Sequence, residues 1–479
     1  MQRRQFLQSA AAAALLARVD TPALARKAGR LGRRRLRVGI LSDIHIKTTD
    51  AQSVPRFVKA LTWFRDAGVD AVLIAGDMAD AGTVTELSMV ADAWYRVFPE
   101  DKAPDGSHVE KLFIYGNHDI EGWSYSYVRR RKDYASIRAD RIVEDRAAVW
   151  EKLFHEPWSP IYIKDVKGYK FIGGHYDNRS NMPGLAGFLS THDSELSGSG
   201  KPFFYFQHTH PRGTCSAPWV WGQDGGEVTG LLSAYPNAVA FSGHSHTPLT
   251  DDRVVWQGGF TSIGTASLSY VIPLGGRENS RVFGAKDPAP SQMPYLTGKD
   301  AHHGQLMTVY DDYIVLQRHE FEFDEDLGDN WVIPLDVNRG AMTFDARARA
   351  EVAPQFAPGA AVSTLRHEGK DRQNMNLEQM SVSFPTAPRR SGHGRAFDYE
   401  VCVEVEDVDT YKTVLTKRVY SGAGYLGERK DAASTVVCEF GMGELPAARP
   451  FRFAVRPCAC FGHKGEPIFS DVISIEQNV

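Results

Sequence analysis

At 479 residues, with 42% apolar and 24% charged residues, the chain has room for two domains. Its composition is too ordinary for a wholly disordered or fibrous protein. A formal net charge of −4 excludes a general electrostatic attraction to nucleic acid or an anionic membrane, so a partner has to be sought in local chemistry.

The N-terminus differs from the rest of the chain. Met1-Gln2-Arg3-Arg4-Gln5-Phe6-Leu7 precedes the run Ala10 to Ala17, and Ala23-Leu24-Ala25 supplies the small residues of a cleavage site. These are the three parts of a signal peptide. Paired arginines before Phe-Leu resemble a twin-arginine signal, which directs export of a folded protein. Residues 1–25 are expected to be that signal, and the mature protein to be periplasmic or secreted in a bacterium. No stable membrane span is expected, because the apolar run falls short of the ~20 residues a span needs.

Leu36 to Leu41 reads as a short buried strand ending at Ser42-Asp43-Ile44-His45. Phe57, Leu61 and Phe64 then repeat at helical spacing, with Gly68 placed to stop the helix. Val69 to Ala75 is the next strand and leads into Gly76-Asp77-Met78-Ala79-Asp80. A strand, helix, strand unit pairs its strands in parallel through a right-handed crossover, and ligands gather at the carboxyl ends of such strands. A helical pattern from Leu87 to Val97 leads to strand Lys111 to Tyr115 and to Gly116-Asn117-His118-Asp119. The charged and aromatic stretch from Gly122 to Lys167 follows that loop and is a candidate substrate-facing cap; a solvated helical face is the other reading of Arg129 to Lys132. Strand Tyr169 to Gly173 precedes His175, strand Pro202 to Phe206 delivers His208 and His210, and Ala238 to Phe241 presents Gly243-His244-Ser245-His246. Phe260 to Tyr270 and Gln305 to Gln317 read as strands, the latter a hairpin turning at Asp311-Asp312, with a Gly- and Pro-rich loop from Leu274 to Lys299 between them.

The motifs DxH, GDxxD, GNHD, a lone His and GHxH, in this order, resemble the calcineurin-like metallophosphoesterase superfamily over residues 36–335. The resemblance implies an α/β fold, an α+β four-layer arrangement with a central β-sandwich flanked by helices. It also implies two divalent or trivalent metal ions, manganese, iron or zinc, bridged by Asp77. Asp43, His45 and His246 would complete the first ion's ligands, and Asn117, His208 and His244 the second's. A water shared between two such ions attacks a phosphate mono- or diester as the activated hydroxide. By the same resemblance His118 serves as general acid, with Asp119 holding its imidazole, while Asp80 ties the loop down. His210 could exchange roles with His208, and His175 and His210 are possible substrate-binding residues. GDxxD is not followed by the Arg-Gly of Ser/Thr protein phosphatases, and the Tyr ligand of purple acid phosphatases is missing.

From about Val352 the segments become short and β-rich: Tyr399 to Val405, Thr435 to Phe440, Phe451 to Val455 and Asp471 to Ile475. Residues 352–479 are expected to form a small all-β sandwich, loosely similar to fibronectin type III domains. Cys402, Cys438, Cys458 and Cys460 lie here, Cys215 far upstream. One or two disulfides and buried thiols are both open readings. Together these features read as a secreted dinuclear metal-dependent phosphoesterase acting on a phosphoester substrate. The alternative is a non-catalytic surface or glycan-binding protein that uses the same fold as a scaffold.

Overall fold

In a computed structural model, the structure describes residues 32–142, 145–177, 182–216, 220–272, 301–370, 375–388, 394–408, 410–421 and 434–475. The expected signal peptide and the 274–299 loop lie outside them. The chain divides into two compact units, residues 1–272 with 297–346, and residues 273–296 with 347–479.

The first unit is built on two sheets. One has strand order β12-β11-β10-β1-β2-β3, with β13 pairing β11. Its members are β1 (Leu36–Leu41), β2 (Ala71–Ala75), β3 (Glu110–Ile114), β10 (His303–Val309), β11 (Tyr313–Glu320), β12 (Glu325–Asp326) and β13 (Trp331–Pro334). The other runs β4-β5-β6-β7-β9-β8, from β4 (Ile161–Val166), β5 (Tyr169–Gly174), β6 (Phe203–Phe206), β7 (Ala238–Ser242), β8 (Val255–Gln257) and β9 (Thr261–Gly264). Strands β1 to β3 are mutually parallel, as are β5, β6, β7 and β9.

Period-two alternation explains the layering. On β1 and β2, Val38, Ile40 and Leu73 join Phe171, Phe206 and Phe241 of the second sheet in one core. Val72 and Ile74 point the other way, onto Phe57, Leu61 and Phe64 of helix α1 (Ser53–Ala67) and Leu87 and Trp94 of α2 (Val84–Val97). The outer face of the second sheet, through Ile172 and Tyr205, packs on Leu185, Leu189 and Leu232. The result is helix, sheet, sheet, helix, the four-layer arrangement expected from the motifs.

Gly39 has a specific reason to be glycine: a Cβ there would lie 2.5 Å from the Phe64 ring, so its absence lets α1 seat on β1. Burying Phe64 fully is worth roughly 1.5–3 kcal/mol. Helix α1 ends at Gly68 with φ 68°, whose N–H bonds back to Arg65 O and Phe64 O, a left-handed stop that a Cβ would oppose. Helix α2 starts at Thr83, whose Oγ1 accepts from Glu86 N at 3.1 Å, a cap worth about 1 kcal/mol.

Two expected strands are shorter than read. Of Phe260 to Tyr270, only Thr261–Gly264 pairs in the sheet. Beyond it the chain crosses the end of β1, where Leu268 N and Ser269 N bond to the carbonyls of Ser42 and Asp43. Of Asp471 to Ile475, only a bridge from Ile473 to Phe451 remains, and the last strand is Ile468–Phe469. The hairpin through Asp311-Asp312 is as expected.

The second unit holds a three-stranded sheet, β14-β15-β18, and a four-stranded sheet, β17-β16-β19-β20. These are β14 (Ser363–Lys370), β15 (Asn376–Pro385), β16 (Asp398–Asp407), β17 (Thr410–Tyr420), β18 (Thr435–Gly441), β19 (Phe451–Cys458) and β20 (Ile468–Phe469). They share one core that includes Val382, Phe384, Tyr399, Val403, Phe440 and Phe453. All five cysteines are buried and none forms a disulfide. Among the described residues, no helix is long and apolar enough to cross a membrane.

Candidate metal centre

The ends of five parallel strands deliver the candidate ligands to one place: Asp43 and His45 after β1, Asp77 after β2, Asn117 after β3, His208 after β6, and His244 and His246 after β7. Backbone bonds carry the sheet past its last strand residues. Asp43 N donates to Gly76 O at 3.0 Å, His45 N to Asp77 O at 3.0 Å, and Gly243 N to His208 O at 3.0 Å. These bonds hold an unfavourable backbone in place. Asp43, His45, Asp77, His244 and His246 have φ of 51°, 48°, 52°, 67° and 55°, the left-handed region that costs roughly 1–2 kcal/mol per non-glycine residue. Such strain persists only where surrounding structure over-determines it, and it concentrates at functional sites.

Neighbouring glycines provide the space. A Cβ on Gly76, itself at φ 90°, would meet His208 Nδ1 at 2.5 Å, and one on Gly116 would meet Asp77 Oδ1 at 2.2 Å.

Two triads form around Asp77. Asp43, His45 and His246 each offer a ligating atom within 4.8 Å of the others, as do Asp77, His208 and His244; a third group, His45, Asp77 and His118, lies between them. His208 Nδ1 donates to Ala75 O at 2.7 Å, and His246 Nδ1 to Tyr270 O at 2.8 Å. A carbonyl only accepts, so each proton sits on Nδ1 and each Nε2 lone pair faces the cluster. There His246 Nε2 lies 3.3 Å from His45 Nε2 and 3.0 Å from Asp43 Oδ1, and His208 Nε2 lies 3.2 Å from His244 Nδ1 and 3.1 Å from Asp77 Oδ2. Buried acceptors facing one another repel unless a cation or protons stand between them. Asn117 Oδ1 is buried without a hydrogen-bond partner, while its Nδ2 donates to Tyr125 OH at 2.7 Å. The donor set therefore fits two cations sharing Asp77, with mixed imidazole, carboxylate and amide donors suited to manganese, iron or zinc.

Burial pushes the Asp43 carboxyl up, but His246 and His208 outweigh it and hold the group at about 2. Burial pulls His208 down, yet Asp77 beside it carries the imidazole up to about 9. His244 falls to about 3 through burial and the His208 charge.

His118 borders this cluster, its ring centroid 4.4 Å from that of His45. Its side chain is 18% exposed. Its N–H donates to Asp77 Oδ1 at 2.7 Å, and its Nδ1 donates to the main-chain oxygen of Asp80 at 2.8 Å, leaving Nε2 free. The expectation that Asp119 orients this imidazole is corrected. Asp119 is fully buried and accepts from Ala79 N at 2.7 Å, Gly116 N at 2.7 Å and Met78 N at 3.2 Å. It occupies the third position of the short helix Asn117–Glu121, where a carboxylate turns back to the orphan N–H groups of the helix start. Burial, then the Asp77 charge, push its carboxyl up to about 8 against those three donors. Asp80 ties the loop as expected: its Oδ1 lies 3.3 Å from both His45 Nδ1 and Lys47 Nζ.

The two possible substrate contacts lie elsewhere. His210 is buried, with Nδ1 2.7 Å from Ser242 Oγ and Nε2 2.6 Å from Ser245 Oγ, so neither nitrogen faces the cluster. Of the two, it is His208 that joins Asp77 and His244 in the cluster. His175 accepts from Tyr115 N at 3.0 Å through Nδ1 and is enclosed by Trp150, Trp158, Tyr162 and Tyr115; burial, with Arg146, lowers it to about 3. Sequence reasoning missed Trp221 and Tyr270, whose rings lie 4.9 Å from His244 and 4.3 Å from His246. The carbonyl of Tyr270 has no sequence signature, and Trp221 lies outside every motif.

Residues 36–248 match the family profile described as calcineurin-like phosphoesterase. No curated protein matches the chain. Solved structures resembling it include a dimetal phosphatase from Danio rerio, at 11% identity and TM-score 0.38, over 63% of this chain and 100% of that one. Another is a purple acid phosphatase from yellow lupin, at 13% and 0.41, over 63% of this chain and 55% of the other. GAP50 of Plasmodium follows at 12% and 0.37, over 63% and 89%. At these identities and scores the structures lend no residue roles. The profile match and the paired ligand clusters around Asp77 lead to one statement: the chain contains a calcineurin-like phosphoesterase domain and is a metal-dependent phosphoesterase.

Proposed function

We propose that the protein is an exported hydrolase of phosphate mono- or diesters in which Asp43, His45, Asp77 and His246 hold one ion, and Asp77, Asn117, His208 and His244 the other. When bound, the ion pair supplies an activated water and the positive charge that neutralises phosphoryl oxygens. The chain's own residues position that pair and deal with the leaving group. His118, protonated at Nε2, gives that proton to the departing alkoxide while Nδ1–H stays on the Asp80 carbonyl. A positioned acid of this kind contributes ~10² to 10⁴ in rate. Asp119 sets the distance between the Asp77 and Asn117 loops by gripping the backbone of both.

The observation that carries the reading is the pair of triads, Asp43, His45, His246 and Asp77, His208, His244, linked by the group His45, Asp77 and His118. Export is supported by Arg3-Arg4 and the Ala23-Leu24-Ala25 pattern, and a double Arg3→Lys, Arg4→Lys variant retained in the cytoplasm would test it. A fibronectin type III-like second domain, from about residue 352, is supported by the three-plus-four strand division and the order β14-β15-β18 with β17-β16-β19-β20. The test of function is hydrolysis of paired aryl phosphate mono- and diesters by the metal-loaded chain. Turnover that collapses in His118→Ala is expected; hydrolysis unaffected by that change, or absent with every metal and ester, overturns the proposal.

A further inference from the structure

Among the described residues preceding Phe323, only two large apolar side chains stand exposed, Tyr127 at 42% and Trp221 at 41%. Both lie on the candidate metal centre. The Trp221 ring centroid is 4.9 Å from that of His244. The next residue, Gly222, has φ 69°, and a Cβ there would lie 2.3 Å from His244 Cδ2 and 2.4 Å from Nε2. Glycine thus lets this loop press the indole against the imidazole while the rest of the indole stays open to solvent. At the other end of the cluster the Tyr127 ring lies 6.4 Å from His118. Its hydroxyl donates to Asp80 Oδ1 at 3.0 Å, which fixes the ring beside the group that protonates the leaving oxygen.

Leaving a large ring in water forgoes the burial energy it would gain inside the fold. Three large apolar side chains of this unit stand exposed, Tyr127, Trp221 and Phe323, and the first two pack on imidazoles of the cluster. Flat rings beside a polar reaction centre stack on flat ligands, with little demand for a particular hydrogen-bond pattern.

We propose that the site takes phosphoesters whose organic group is a planar aromatic ring, aryl or nucleobase, stacked on Trp221, with Tyr127 bordering the leaving group at the His118 end. This rests on the phosphoesterase reading above.

The test is calorimetric binding of phenylphosphonate and methylphosphonate to the metal-loaded full chain, for wild type, Trp221→Ala and Trp221→Phe. Adenosine 5′-monophosphate and ribose 5-phosphate form a second pair that separates nucleobase from simple aryl preference. The wild type favours the ring-bearing member. Trp221→Ala reduces that preference roughly 5- to 150-fold, and Trp221→Phe keeps part of it. Metal content and unfolding temperature of both variants match wild type. Equal binding of both members, binding of neither, or an equal loss for both in Trp221→Ala overturns the proposal. A ring preference without hydrolysis of any aryl ester removes the phosphoesterase reading and leaves the stacking site; hydrolysis without ring preference does the reverse.

Discussion

Replacing Asp119 by alanine separates two roles that its position beside His118 confounds. Its carboxylate accepts three backbone N–H groups, from Met78, Ala79 and Gly116. Truncation leaves three buried donors without an acceptor, at roughly 1–3 kcal/mol each. Taking about 3 kcal/mol as the net loss after water enters the space, and about 2–4 °C per kcal/mol for a domain of a few hundred residues, the first unit should melt roughly 6–12 °C lower. Differential scanning calorimetry of wild type, Asp119→Ala and His118→Ala measures this, with metal content recorded for each. His118→Ala should melt near wild type, since its ring is partly exposed and packs at the rim. An Asp119→Ala protein that unfolds at the wild-type temperature yet loses turnover as His118→Ala does would refute the clamp and restore a direct role in proton transfer.

Three further outcomes follow from the same geometry. His208→Ala should retain one ion where wild type binds two, whereas His210→Ala should retain both but lose roughly 1–3 kcal/mol from the stranded Ser242 and Ser245 hydroxyls; elemental analysis and urea unfolding distinguish them, and a metal lost in His210→Ala would reverse the assignment. Tyr125→Phe frees the Asn117 amide that Tyr125 OH now holds at 2.7 Å, and should weaken one ion's binding roughly 10- to 100-fold in a calorimetric titration; unchanged affinity would show that the amide needs no anchor. Burial, reinforced by Arg146, lowers His175 from 6.5 to about 3, so the folded chain binds this proton less readily than the unfolded one. The stability tied to neutral His175 is complete above pH 6.5 and drains as pH falls towards 3, by up to about 1.4 kcal/mol per unit. His175→Gln, which keeps an acceptor for Tyr115 N–H, should flatten that acid slope in chemical denaturation, and parallel slopes would contradict it.

The candidate ligands were legible because each sits within a few residues of a strand end, where local sequence controls both strand and turn. GDxxD, GNHD and GHxH carry their own glycines, and those glycines answer to close approaches such as Gly116 against Asp77. Asp119 was misread because its neighbour in sequence, His118, is not its partner in space; helix-start N–H groups compete for a carboxylate at that position, and backbone donors leave no trace in a motif. That His210 could exchange roles with His208 rested on its lying two residues further along the chain. The strand ends at Phe206, the chain turns, and His210 enters a serine pocket instead. In the second unit, β14 was invisible because its residues are largely exposed, so no apolar alternation marks it. Trp221 was passed over since exposed aromatics are unremarkable until their neighbours are known.

The ion count around Asp77 distinguishes a centre built on one shared carboxylate from any other arrangement. Elemental analysis of the full chain, purified without chelator and reloaded with manganese, iron or zinc, should give two ions per wild-type chain. Asp77→Ala should lose metal and hydrolysis together, while His118→Ala keeps both ions and loses turnover. Two ions still bound in Asp77→Ala, or a single ion in an active wild type, would contradict a centre built on one shared carboxylate.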